Sequence, residues 1–228
     1  MTQTIQSNWV HELYSLPKWK RYSQSHEECY IDHILKNIHK TNYHIVELGA
    51  WDGSHLSNTK YFIEEKGYTA LLIDGDNKGN EKVKQHFITK ENVVELLEKY
   101  NTPKEFDFFC IDLDGNDLYV MEEVLKKYQP SLIIAEFNPI FAQYQSYTIA
   151  YNPEHTWKED NYYGFSFEAG KKCAEKYGYT CIFQNDNLNM YFVHNKHLEY
   201  VQVPKVEYQV TNYHPHHPIT ENHKWVEY

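Results

Sequence analysis

The sequence predicts an α/β fold built on a doubly wound, mostly parallel sheet. Three observations carry this. Short apolar runs recur along the first two thirds of the chain: YHIVELG (43–49), YTALLID (68–74), FDFFCID (106–112) and SLIIAEF (131–137). Helix-like segments lie between them. The runs are continuously apolar rather than alternating, as strands buried on both faces must be. Strands separated by helices imply parallel crossovers and helices on both faces of the sheet.

The elements follow in order. HEECYIDHILKNIHK (26–40) reads as a helix within an N-terminal helical segment, 1–42, packed beside the first strand. SHLSNTKYFIEEKG (54–67) has helical character and stops at Gly67. HFIT (86–89) reads as a short third strand, and NVVELLEKYN (92–101) as an amphipathic helix. DLYVMEEVLKKY (117–128) is helical until Pro130 forbids continuation. A polar, aromatic insertion spans 138–160, and GFSFEAGKKCAEKYG (164–178) reads as a further helix. YTCIFQ (179–184) and MYFVH (190–194) flank a turn-rich NDNLN link and read as a hairpin, so the sheet closes with an antiparallel strand. The domain then spans 43–194, and 195–228 is a tail rich in proline and histidine, either draped over the body or partly mobile.

Composition narrows the partners. Of 228 residues, 22 are basic and 32 acidic, a net charge of −10, which disfavours a phosphate backbone and so excludes nucleic acid as a general partner. The four cysteines form no C-x-x-C pair, and Cys110 lies in an apolar run, a pattern that fits a reducing compartment. No signal peptide is evident and no run reaches the length of a membrane span, so a cytoplasmic location is expected.

The stretch HIVELGAWDGSHLSNT (44–59) carries the first functional signal. In open α/β sheets ligands bind beyond the carboxyl ends of the strands. The first strand delivers Glu47, Gly49, Asp52 and Gly53 to that rim, and the second ends in Asp74, placed to accept hydrogen bonds from a ribose diol. A nicotinamide cofactor needs G-x-G-x-x-G to cradle its pyrophosphate, and this chain has E-x-G-x-x-x-G instead. Acids at this position suit a cationic nucleoside without phosphate. S-adenosylmethionine, with its ammonium, sulfonium and ribose, is such a ligand. A tight turn with surface acids is the plainer alternative.

Seven blocks occur in one order: SQSHEE (23–28), VELGAWDGSHLSNT (46–59), LLIDGD (71–76), ENVVELL (91–97), FDFFCIDLDGND (106–117), IIAEFNPIF (133–141) and YYGFSFEA (162–169). Together they resemble the class I S-adenosylmethionine-dependent methyltransferases, near the FkbM-like group. The resemblance covers roughly residues 20–194. It implies a Rossmann-like, seven-stranded sheet with a reversed last strand, and a cofactor site lined by Glu47, Gly49, Asp74 and Asp112. SQSHEE departs from the group's pattern, in which a glycine and an aspartate are expected at His26 and Glu28.

A second constellation follows the fourth and fifth strands. IDLDGND brings Asp112, Asp114 and Asp117, and AEFNP brings Glu136 and Asn138. Asp112, Asp114, Glu136 and Asn138 form a candidate site for Mg²⁺ or Mn²⁺, similar to that of metal-dependent O-methyltransferases. The plainer alternatives are cofactor or substrate contacts without metal, and a helix cap at Asp117. Candidate bases are Asp114, Glu136 and His155. Tyr162 and Tyr163 are candidates to shape a substrate pocket, or to pack in the core. HPHHP (214–218) reads as a solvated tail rather than a metal site.

The expected activity is transfer of a methyl group to oxygen on a small polar metabolite, a sugar, or a sugar-nucleotide or surface-glycan precursor. The alternatives are transfer to nitrogen, carboxylate or phosphate-type oxygen, and a catalytically inactive binding module of the same fold. Pairing into a homodimer is a further expectation of this domain type.

Overall fold

The apolar runs become neighbouring strands. The computed structural model describes residues 8–214 and 223–228, so His216 and His217 of the HPHHP stretch lie outside the described residues. Nine strands form among the described residues: β1 (His44–Leu48), β2 (Thr69–Asp74), β3 (Val83–Gln85), β4 (Glu105–Ile111), β5 (Gln129–Glu136), β6 (Tyr147–Ile149), β7 (Tyr179–Asn185), β8 (Asn189–His194) and β9 (Trp225–Glu227). Seven of them build one sheet in the order β3-β2-β1-β4-β5-β8-β7. The pairs β1–β2, β1–β4, β2–β3 and β4–β5 are parallel. β8 runs antiparallel to both β5 and β7, as the closing hairpin requires. The direction of winding switches between β1 and β4, where an open α/β sheet leaves a crevice for a ligand.

Continuous apolarity is explained by helices on both faces. The helices are α1 (Trp9–Glu12), α2 (Glu27–Asn37), α3 (Lys60–Glu65), α4 (Val93–Lys99), α5 (Asp117–Leu125) and α6 (Phe167–Lys176). Ile45, Phe108, Ile134 and Tyr191 point to one face and pack with Ile31 and Ile34 of α2 and Phe62 of α3. Val46, Phe109, Ile133 and Phe192 point to the other, against Val93 and Leu97 of α4, Val120 and Val124 of α5 and Cys173 of α6. Each such side chain, fully buried, contributes about 1.5–3 kcal/mol. No described helix is long and apolar enough to cross a membrane.

Four elements differ from the sequence reading. The third strand is Val83–Gln85, not 86–89, because Val83 is the apolar residue that meets Leu72 and Ala50. The helix expected over 54–67 is confined to Lys60–Glu65, because 54–59 is held as a loop by Asp52 and Glu47. Asp117 does not cap α5 from outside. It is the first helical residue, and its carboxylate accepts from the Leu113 and Gly115 amides at 2.6 and 2.8 Å. The insertion and the tail are not merely draped. β6 and β9 pair antiparallel, Thr148 opposite Val226.

At the switch point the backbone of β1 nearly touches that of β4. Gly49 has φ +86°, and a Cβ built on it would lie 1.6 Å from the Asp112 carbonyl oxygen. Gly67 also has positive φ, +73°, but has open space around it. Gly67→Ala is therefore expected to cost about 1 kcal/mol, the left-handed strain alone. Gly49→Ala adds a backbone clash and should cost about 3 kcal/mol or more. Urea midpoints of the two variants compare them, and equal losses would remove the close approach as a constraint.

Candidate active site at the strand carboxyl ends

The rim is built outward from the Gly49 contact. The Gly49 amide donates to the Ile73 carbonyl at 3.0 Å and the Asp112 amide to the Leu48 carbonyl at 3.0 Å. The tips of β1, β2 and β4 are thus locked together. The loop after β1 then turns at Gly53, φ +68°, where a Cβ would press on Val83 at 2.9 Å. Asp52 Oδ1 accepts from the Ser54 and His55 amides at 2.7 and 2.6 Å. Glu47 is buried and turns to the same loop. Its oxygens accept from the Thr59 hydroxyl at 2.5 Å, and from the Ser57 hydroxyl and the Asn58 amide, each at 3.3 Å. Both acids therefore shape the loop from within.

Asp74 closes β2 at the open side of this loop. Its carboxylate accepts from the Trp51 amide at 2.7 Å and the Asp76 amide at 2.8 Å. Each oxygen keeps a further lone pair for another donor. Two large aromatic side chains stand exposed nearby, Trp51 at 43% and Phe87 at 48%. Phe87 lies beside Gly75, where a Cβ would be 3.5 Å from its ring. An acid flanked by exposed aromatic faces offers hydrogen-bond acceptors beside stacking surface.

The second constellation also assembles. Asp112, Asp114 and Glu136 each present an oxygen, and these oxygens all lie within 4.8 Å of one another. Burial first, then repulsion, pushes all three carboxyls up: Asp112 by Asp114 and Asp117, Glu136 by Asp112, Asp114 and Asp117, and Asp114, to about 6, by Asp117 and Asp74. The side-chain contact between Asp112 and Glu136 adds to the rise at Glu136 and opposes it at Asp112. Among the described residues no Lys, Arg or His lies within ion-pair distance of the three. Asn138 is engaged by the backbone. Its Nδ2 donates to the Asn161 and Tyr163 carbonyls, both at 3.0 Å, and its Oδ1 accepts from the Ile140 amide.

The insertion reaches the cluster through His155. The imidazole sits on Gly115, where a Cβ would meet its ring at 2.3 Å, and it contacts the Asp114 backbone. His155 Nε2 is buried without a partner, and desolvation lowers the ring's pKa. Tyr163 is buried, and its hydroxyl is raised by desolvation and then by Glu136, Asp112 and Asp114. The Tyr162 ring meets the His155 ring edge-on, centroids 6.0 Å apart. Its hydroxyl donates to the Lys224 carbonyl at 3.0 Å and its ring packs on His223 and Trp225, tying the C-terminal strand to the insertion.

Three features escaped the sequence reading. Trp51 and Phe87 look like ordinary core aromatics in a chain this rich in them. The pairing of β6 with β9 joins segments too distant for local rules. Glu27, in the stretch that departs from the group's pattern, is fully buried. It accepts from the Ser25 amide at 2.6 Å, from Asn185 Nδ2 at 3.0 Å and from Asn189 Nδ2 at 3.2 Å.

The sequence matches no protein-family description and no curated protein. Solved structures of similar shape were found. One is an O-methyltransferase from Bacillus cereus in complex with SAH, at 13% identity and TM-score 0.42, covering 84% of this chain and 93% of that one. Another is a SAM-dependent methyltransferase from Aquifex aeolicus, at 13% identity and TM-score 0.37, covering 80% and 96%. A third is the CurJ carbon methyltransferase, at 10% identity and TM-score 0.43, covering 75% of this chain; the chain spans 55% of that protein's length.

Burial raises the Glu47 carboxyl to about 7, against 4.5 for the ordinary side chain. The native state therefore holds a proton that the unfolded chain releases. Stability linked to Glu47 is full below about pH 4.5 and declines as pH rises through 7. Its span is on the order of 3 kcal/mol. Glu47→Gln should flatten the fall in urea-derived stability between pH 5 and 8, by about 1–3 kcal/mol. An unchanged slope would remove Glu47 as its source.

Proposed function

We propose that the chain is an S-adenosylmethionine-dependent methyltransferase of the FkbM-like branch, acting on a hydroxyl oxygen of a small polar acceptor such as a sugar. The observation that carries this is one juxtaposition. Asp74, with free acceptor capacity between exposed aromatic rings, shares a rim with the cluster of Asp112, Asp114 and Glu136 under His155. The first half fits a nucleoside, and the second fits an acceptor that must lose a proton. Gly49 and Gly53 give the loop its close approach, Glu47 and Asp52 hold its shape, and Asp74 and Asp112 face the cofactor.

Bound S-adenosylmethionine supplies a methyl group on a positively charged sulfur. Transfer of that methyl to an acceptor hydroxyl would leave the acceptor's proton to be taken up by the chain. The chain's own task is to align the acceptor and receive that proton. His155 is suited to it, because its lowered pKa keeps the ring neutral and Nε2 has no other partner. Asp114 and Glu136 orient the acceptor hydroxyl, and Tyr163 closes the pocket. Asp112, Asp114 and Glu136 also form a hard oxygen donor set that fits Mg²⁺ or Mn²⁺, which would lower the pKa of a bound hydroxyl. Asn138 is left out of that set because its amide already serves the backbone. We assign the donor fold to 43–194, with 1–42 as its cover and 138–160 with 195–228 as the acceptor side.

Calorimetric titration with S-adenosylhomocysteine tests the cofactor assignment. Asp74→Ala should weaken binding by about 1–3 kcal/mol, and unchanged affinity would refute it. His155→Gln should lower kcat by about 10²-fold or more while leaving that affinity intact; parallel loss of both would make His155 structural. If the acid cluster uses a divalent ion in turnover, excess chelator abolishes activity and Mg²⁺ or Mn²⁺ restores it. Full activity in chelator removes the ion from the reaction.

A further inference from the structure

The link between β2 and β3 departs from the rest of the sheet. The two strands are parallel, and parallel neighbours need a crossover of about a dozen residues or more, most often a helix. Here residues 75–82 make the crossing alone, with no helix. The face of β2 that carries Ala70 and Leu72 therefore has α3 on one side and only this loop on the other. Its local core is small: Ala50, Leu72 and Val83, with Ile63 and Ala70 packed against it. A cavity of about 220 Å³ remains between α3, the loop after β1 and the 75–82 connection.

The walls of this cavity are fixed by hydrogen bonds. Asn80 Nδ2 donates to the Asp52 carbonyl at 2.7 Å, and Asn80 Oδ1 accepts from the Lys82 amide at 3.0 Å. Asn77 Nδ2 ties the same connection to the Val83 carbonyl at 3.2 Å. Leu72, 5% exposed, and Ile63 supply the apolar lining. Two ammonium groups supply the charge. Lys60 is half-buried, donates to the Ser54 hydroxyl and lies 4.8 Å from the centroid of the Tyr22 ring. Lys82 is exposed at the opening. Among the described residues neither has a carboxylate within ion-pair distance. Glu64, the acid of the lining, is exposed and accepts from the Tyr22 hydroxyl at 3.4 Å. Asp52 is held low first by the His55 amide, with Lys60 a smaller and more distant influence.

An apolar wall beside two uncompensated ammonium groups matches a ligand with both characters. The excess of positive charge is local, in a chain of net charge −10. Drug-sized ligands need about 300 Å³ or more, so this cavity suits a single ring or a short branched chain. We propose that it binds a small organic carboxylate, with the apolar body on Leu72 and Ile63 and the carboxylate between Lys60 and Lys82. The site goes beyond the methyl-transfer reading and does not rest on it, although Gly53 and Ser54 of the loop after β1 form part of its wall.

The test is methyl and amide NMR on the full chain titrated with benzoate. Benzamide is the neutral isostere, and inorganic phosphate is the anion without an apolar body. Benzoate should shift the Ile63 and Leu72 methyl signals and the Ser54 amide, with a Kd about fivefold or more below that of either control. Lys82→Gln replaces an exposed side chain, so it should leave the melting temperature unchanged while raising the benzoate Kd about threefold or more. Replacing Lys60 by Gln as well should remove the preference for benzoate over benzamide. Equal binding of benzoate and benzamide, phosphate binding as tightly as benzoate, shifts confined to residues outside the cavity, or an unaltered benzoate Kd in Lys82→Gln would overturn the site.

Discussion

Everything at the rim depends on how closely β1 and β4 approach each other. The space over Gly49 is filled by the Asp112 carbonyl oxygen, so the fold tolerates only a hydrogen there. That contact fixes where the β4 chain leaves the sheet. Asp112 thereby reaches Glu136 on one side, while the loop after β1 is drawn toward Asp74 on the other. A side chain at position 49 would separate the two halves of the site. The surrounding hydrogen bonds, Gly49 to Ile73 and Asp112 to Leu48, hold the approach in place rather than create it.

A second constraint is electrostatic. Four carboxyls gather at the ends of β4 and β5 and the start of α5, and burial raises every one of them. Asp117 meets the demand locally by accepting two loop amides. Asp112 and Glu136 lie side by side, each raised by desolvation first. Asp114 adopts a left-handed backbone conformation with φ 51°. Glu47 contrasts with these. It is as deeply placed, yet its oxygens serve Ser57, Asn58 and Thr59, so its burial stabilises a loop shape.

The main sheet was legible because burial on both faces leaves a mark that polarity alone can carry: uninterrupted apolar runs such as FDFFCID. Its reversed strand was legible from a turn-rich link between two apolar runs. Val83–Gln85 was not, since an edge strand of three residues with one buried apolar side chain has no pattern of its own. The pairing of Thr148 with Val226 was hidden by sequence distance. Among site residues, Asp112, Asp114, Glu136 and His155 are gathered where strand ends and the insertion would put them. The hydrogen bonds of Glu47 and Asp52 to their own loop were not legible, because the letter of an acid does not say which amides and hydroxyls it will meet. Glu27 shows the converse: its burial depends on hydrogen bonds from Asn185 and Asn189, far along the chain, and no local rule connects them.

The central claim is that one rim, from the Gly49 turn through Asp74 to Asp112, receives a cationic nucleoside. Amide hydrogen exchange with and without S-adenosylhomocysteine tests it most directly. The account predicts slowed exchange in three separate segments, 49–53, 74–76 and 112–115, with the far ends of the same strands unchanged. Exchange that is unaltered in those segments, or slowed only at the opposite edge of the sheet, would contradict it.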